Sequence, residues 1–220
     1  MQERRQFLRR ALGFSAAFIF PIRPLFGAVR RAFAELKTII LPKGTAPETL
    51  IDKNPALLDT RNLDPIPLER FGTMGLSDHQ VDLNHWRLAV AGAVTNPLHL
   101  TYDEIRTLPS ITRNVLLICP GFFANHGTWK GISIGELLRK ANAGVGATQV
   151  TVRGPEGIYG MVKAFKIEDV QSDKVFLAYE VNSKTLPLRH GFPLRLVAEG
   201  YYGYDWVKYV HRVTVEKNQS

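Results

Sequence analysis

The chain of 220 residues contains one cysteine, Cys119. A single thiol excludes an internal disulfide, a zinc site built from several cysteines, and the Cys-x-x-Cys-His attachment of a covalently bound haem. There is no Gly-x-Gly-x-x-Gly or comparable phosphate loop, which argues against a doubly wound dinucleotide-binding domain. Internal repeats and low-complexity tracts are also missing. No apolar run reaches the roughly 20 residues that cross a bilayer core of about 30 Å. Basic charge is scarce where a nucleic-acid binder would need it. Of the formal net charge of +8, residues 1–38 carry +6 and the rest of the chain only +2. A protein that grips phosphate backbones clusters its excess charge on the folded domain, so nucleic acid is not an expected partner.

With 45% hydrophobic residues the chain can bury a core of ordinary size. It reads as one domain, residues 39–220, behind a leader of residues 1–38. The leader carries Arg4-Arg5, then Phe7-Leu8, an apolar run from Ala11 to Phe20, and the small-residue triplet Ala32-Phe33-Ala34. This pattern resembles a twin-arginine export signal, with Ala34 as one cleavage position. It leads us to expect passage of the folded protein to the periplasm through the twin-arginine machinery. A basic amphipathic helix resting on a membrane is the competing reading, which a retained, tethered leader would fit.

Within the domain, residues 39–77 are rich in proline and turn-forming residues without a sustained period, and read as an extended arm. Strands are expected at 85–90, 114–118, 149–153, 175–179, 193–197 and 207–216, with a turn at Asn182-Ser183-Lys184. Thr101 and Ser133 each stand three residues before a glutamate, the pattern that closes off a helix start, and predict short helices at 103–107 and 134–141. Many short strands with few helices give an α+β fold with a β-rich, mixed-sheet core and short peripheral helices.

Cys119 follows the apolar run Val115-Leu116-Leu117-Ile118, suited to a buried strand, and Pro120 keeps it extended while stopping the ladder beyond it. The thiol thus sits where a core strand opens into a loop. From these residues alone an inert core thiol, a reactive thiol and a metal ligand all remain open. Downstream, Arg195 alternates with Leu194 and Leu196, and Lys208 follows the turn-rich "EGYYGYD", so that a hairpin could bring the two cations together. Taken singly, each cation is as well explained by a solvated sheet face, and His190 beside Gly191 by a turn.

The segments "LLICPGFFANHGTWKGISIGELL", "VFLAYEVN" and "LPLRHGFPLRLVAEGYYGYDWVKYVHRVTV" resemble the molybdopterin-binding domain of the sulfite oxidase family, and its single-domain periplasmic bacterial branch in particular. Matches run in order from about Leu58 to Val215. The resemblance implies a sulfite-oxidase-type fold and a molybdenum–molybdopterin cofactor whose metal is held by the Cys119 thiolate. It also implies cofactor contacts from Phe71, Gly72, Thr73, His190, Arg195, Trp206, Val207 and Lys208. A guanidinium fork and a compact ammonium suit the phosphate and ring acceptors of such a cofactor. Because the chain has no haem attachment of its own, the resemblance also implies a separate haem electron-transfer partner, either soluble or a membrane subunit.

The family's Phe-x-Arg-x-His motif reads here Phe71-Gly72-Thr73-Met74-Gly75, and no arginine occurs between Pro120 and His126. A pocket without bidentate cations would bind sulfite poorly. Phe122 and Phe123 suggest an apolar mouth instead, closer to relatives that reduce small or protein-bound sulfoxides. Asn125 and His126 are the nearest polar groups after Cys119 and are expected to be catalytic, His126 as a proton donor to a leaving oxygen. The expected function is therefore oxygen-atom transfer at a sulfur or nitrogen centre, with sulfite-dehydrogenase-like chemistry as the alternative. Two other classes compete: a metal-free enzyme using Cys119 with His126, and a non-catalytic β-rich binding module.

Overall fold

The computed structural model describes residues 38–217. The expected leader, apart from Thr38, lies outside them. Among the described residues are twelve strands: β1 (Ile39–Ile40), β2 (Leu58–Asp59), β3 (Leu88–Gly92), β4 (Leu98–Leu100), β5 (Ser110–Cys119), β6 (Phe123–Ser133), β7 (Ala147–Arg153), β8 (Val162–Lys166), β9 (Val175–Val181), β10 (Lys184–Thr185), β11 (Arg195–Ala198) and β12 (Arg212–Lys217). Three short helices accompany them: α1 (Tyr102–Thr107), α2 (Ile134–Lys140) and α3 (Ile167–Gln171).

Apart from the parallel pair β1–β2, the strands form two five-stranded sheets. One runs β10-β9-β6-β5, with β11 also paired to β9, and all its pairings are antiparallel. The other runs β4-β3-β12-β7-β8 and is mixed, because β12 lies parallel to β3. This is the β-rich, mixed-sheet α+β fold expected from the pattern. In β9 the run Val175 to Tyr179 is buried throughout, as a strand covered on both faces requires. Both helix starts form as read: Thr101 accepts the Glu104 N–H at 3.1 Å and returns its own N–H to the Glu104 carboxylate at 2.8 Å, and Ser133 accepts the Glu136 N–H at 3.2 Å.

The β5–β6 hairpin organises the site. Gly121 takes φ +76° after Pro120, and the Phe122 N–H donates to the Cys119 carbonyl at 3.0 Å, the pattern of a type II turn. Side chains alternate across the hairpin. Leu116, Ile118 and Ala124 face outward, where the arm covers them with Leu41, Leu50 and Leu63. Val115, Leu117 and Cys119 face the main core.

One expected strand is revised, and several elements were not foreseen. The strand expected at 207–216 begins only at Arg212, because residues 207–210 form an irregular return in which Tyr209 has φ +54°. The long strand β6 was not foreseen. Its sequence "FANHGTWKGIS" lacks apolar alternation, since both faces are covered and each carries polar or small residues. Strand β8 and helix α3 were likewise missed, being short and half-exposed.

Candidate active site

Cys119 ends β5 at the floor of a cleft of about 330 Å³. Cys119 is 7% exposed, and burial pushes its thiol above the ordinary range while Arg195 and Lys208 pull the other way. The S–H points to Met74 Sδ at 3.6 Å. Behind the thiol stand the indoles of Trp129 and Trp206, whose centroids are 5.6 Å apart.

Arg195 enters from β11 and is enclosed. Its guanidinium carbon lies 5.6 Å from the Trp129 ring centroid and 5.5 Å from that of Trp206, and one terminal nitrogen donates to the His190 carbonyl at 2.9 Å. Its Nε is buried without a partner. Burial lowers its pKa to about 10. Lys208 comes from the return after the Gly203–Asp205 turn, and burial, aided by Arg195, lowers it to about 8. Its ammonium donates to Thr73 Oγ1 at 3.0 Å and to the carbonyls of Met74 and Leu76 at 2.8 and 3.3 Å. His190 is pulled down to about 4 by burial first, then by Arg195, Arg189 and Lys208. It is therefore neutral, and its Nε2 accepts from Arg189 Nε at 3.1 Å.

Among the described residues no carboxylate lines the cleft. A buried guanidinium without a counter-ion is costly, so the complement of this site is an anion. Among the described residues no group of three or more His, Cys, Asp or Glu could hold a metal ion. A metal at Cys119 would have to arrive already held by a cofactor. One thiol, two cations, a neutral imidazole and an aromatic wall fit an anionic, ring-containing group of that kind.

The structure brings Cys119, Asn125, Gly72, Thr73, His190, Arg195, Trp206 and Lys208 to one cleft. Phe71 sits behind it, 5.9 Å from both the Trp129 and the His190 rings, and supports the wall. Val207 does not reach the cleft: it is fully buried, and its carbonyl accepts the Leu196 N–H at 2.9 Å. His126 is not in the cleft either. Strand parity turns it to the opposite face from Asn125, where it is fully buried with Nδ1 against the Asp64 carbonyl at 3.2 Å. Asn125 faces the cleft, yet both its polar groups are taken up by Gly72 at 2.9 Å. Its expected catalytic role thus becomes one of positioning.

Sequence reading expected an apolar mouth from Phe122 and Phe123, of which Phe123 lines the cleft, but missed the other residues around it. Met74, Leu76, Ile158 and Tyr204 line it and are 41%, 49%, 79% and 54% exposed, with Phe122 at 71% beside the Cys119 turn. Glycines flanking Ile158 in "EGIYG" were the available signal of an exposed loop.

The chain has recognisable relatives among known proteins. The family described as "Oxidoreductase molybdopterin binding domain" matches residues 75–220. A nitrate reductase [NADH] of Volvox carteri is 31% identical over 175 residues, 66% of this chain and 19% of that protein. A putative protein-methionine-sulfoxide reductase subunit, YedZ1, of Azospira oryzae is 29% identical over 136 residues, 62% of this chain and 51% of that protein. The chain thus spans between about a fifth and a half of these relatives. Among solved structures, the sulfane dehydrogenase SoxCD from Paracoccus pantotrophus shares the fold, with a TM-score of 0.58 and 23% identity over 66% of this chain and 44% of that one.

Proposed function

The chain belongs to the molybdopterin-binding oxidoreductase family, and on that premise we propose that it is a periplasmic enzyme of oxygen-atom transfer that reduces a sulfoxide-type substrate. The observation that carries this reading is the make-up of the cleft. Among the described residues its one guanidinium, Arg195, is buried against the aromatic wall, and the exposed mouth is apolar. A substrate anion would find no second arginine among the lining residues, whereas the organic groups of a sulfoxide find Met74, Ile158 and Tyr204.

Each residue then has a physical role. Cys119 would hold the metal as a thiolate, with Arg195 and Lys208 offsetting the negative charge and binding the anionic part of the cofactor. Neutral His190, with its Nε2 occupied by Arg189, keeps its proton on Nδ1 as a hydrogen-bond donor. Leu117, Phe123 and Trp129 keep the floor of the cleft apolar. When bound, the cofactor supplies a metal that exchanges one oxygen atom and two electrons with the substrate. Overall, a sulfoxide, two electrons and two protons give a sulfide and water. The electrons come from a separate haem partner.

The name of the Azospira relative supports the sulfoxide reading, and Arg4-Arg5 with the following apolar run supports export. A metal-free cysteine enzyme is disfavoured, because Cys119 and His126 point to opposite faces of the hairpin and form no thiolate–imidazole pair. The test is metal analysis of the exported protein beside Cys119→Ser, with turnover of sulfoxides, sulfite and nitrate. Stoichiometric molybdenum in the parent, loss or alteration of the visible thiolate-to-metal band in the variant, and preference for sulfoxides are expected. A folded parent from cofactor-competent cells without molybdenum, or preference for sulfite, overturns the proposal.

A further inference from the structure

The backbone and the side chain of Met74 are held very differently. Just before it, Gly72 is paired in both directions with Asn125. Thr73 Oγ1 donates to the Arg189 carbonyl at 3.0 Å and accepts from Lys208. The carbonyls of Met74 and Leu76 accept from the same ammonium. This strap is therefore tied to β6, to the Leu188–His190 turn and to the Lys208 return, and cannot drift without breaking hydrogen bonds to all three. The Met74 side chain, by contrast, is unbranched and 41% exposed, and its sulfur makes a soft contact with Cys119 at 3.6 Å. A rigid backbone carries an adjustable apolar cover over Cys119, a residue 7% exposed.

From this geometry we propose that Met74 is a specificity-determining residue: its thioether screens Cys119 and limits the size and polarity of what reaches that end of the cleft. A thioether donates no hydrogen bond, so a hydrated anion gains nothing by displacing its water there, while the organic arms of a neutral sulfoxide pack against it. The bulk of the side chain sets the size limit. The substrate half of this inference rests on the proposed function; the screening of Cys119 does not.

Two readouts on the full chain test it. The first is alkylation of Cys119 by iodoacetamide, followed by mass spectrometry in protein made without the cofactor, with core amide exchange as the check that each variant is folded. Access governs thiol reactivity, so Met74→Ala is expected to speed modification about tenfold. Met74→Leu, which keeps the bulk, and Leu76→Ala, on the same strap, are expected to stay within about twofold of the parent. A Met74→Ala rate equal to the parent's, or matched by Leu76→Ala, overturns the screen. The second readout is the ratio of kcat/KM for methyl p-tolyl sulfoxide to that for dimethyl sulfoxide in the cofactor-loaded enzyme, expected to rise about tenfold in Met74→Ala. An unchanged ratio overturns the specificity assignment. No turnover of either sulfoxide by the parent overturns the proposed function and the substrate assignment with it, and alkylation alone then decides the screen.

Discussion

Asn125 pairs with Gly72 at both of its polar groups: the Gly72 N–H donates to Oδ1 at 2.9 Å, and Nδ2 donates to the Gly72 carbonyl at 2.9 Å. The side chain stands in for a neighbouring strand and holds the Phe71–Met74 segment against β6. Asn125→Leu, at a site only 3% exposed, leaves both backbone groups of Gly72 without those partners. We expect a stability loss of about 1–3 kcal/mol by denaturant titration, faster amide exchange at residues 72–76, and lower molybdenum content. Unchanged exchange there would show that the strap is held without Asn125.

Gly72 is also a packing constraint. A Cβ placed there would lie 2.3 Å from Phe123 Cγ and 2.8 Å from its Cβ, near the root of the ring where the side chain has little room to swing. Gly72→Ala should cost about 1–3 kcal/mol, the usual range for overpacking. Phe123→Ala in the same chain should recover part of that loss. A double-mutant cycle of unfolding midpoints measures the coupling, and strict additivity would refute the contact.

The depressed pKa of His190 gives a sign for acid sensitivity. Folded, it titrates at about 4 against an ordinary value of 6.5, burial being the first cause. Between those values the unfolded chain binds a proton that the folded chain refuses, so stability falls as pH drops through that window and the loss is absent above it. His190→Gln is expected to flatten this slope in unfolding midpoints compared at about pH 7 and about pH 5. An identical slope in parent and variant would assign the acid sensitivity to other groups.

His126, excluded from the cleft by strand parity, should behave as a structural residue. His126→Gln is expected to lower the unfolding midpoint, because the ring fills a fully buried site beside the Asp64 carbonyl. The pH profile of turnover in the cofactor-loaded enzyme should be unchanged. A shifted profile would return His126 to the chemistry.

What could be read from the sequence follows from how local each signal is. Cys119 stood out because it is the one thiol and is followed by Pro120, and the caps at Thr101 and Ser133 needed only four consecutive residues each. For Arg195 and Lys208 the residues suggested a hairpin that could bring them together, but only the resemblance gave them a shared ligand, since twelve residues, mostly turn, separate them. The facing of His126 and Asn125 was out of reach for a different reason. In a strand covered on both sides, apolar alternation no longer tells one face from the other, and a polar residue on either face looks alike. The mouth residues were hidden because Ile158 and Met74 are ordinary apolar side chains until a fold leaves them exposed around a cavity.

Trp129 and Trp206 flank Arg195, so two of the chain's three tryptophans face the cation that would meet the cofactor's negative charge. The third, Trp86, lies apart, edge-on to His211 at 6.0 Å. Indole emission responds to charge held over the ring, so occupancy of the cleft is written into the protein's own fluorescence against the background of Trp86. The loading of this protein can thus be followed optically, without a label and before any substrate is known.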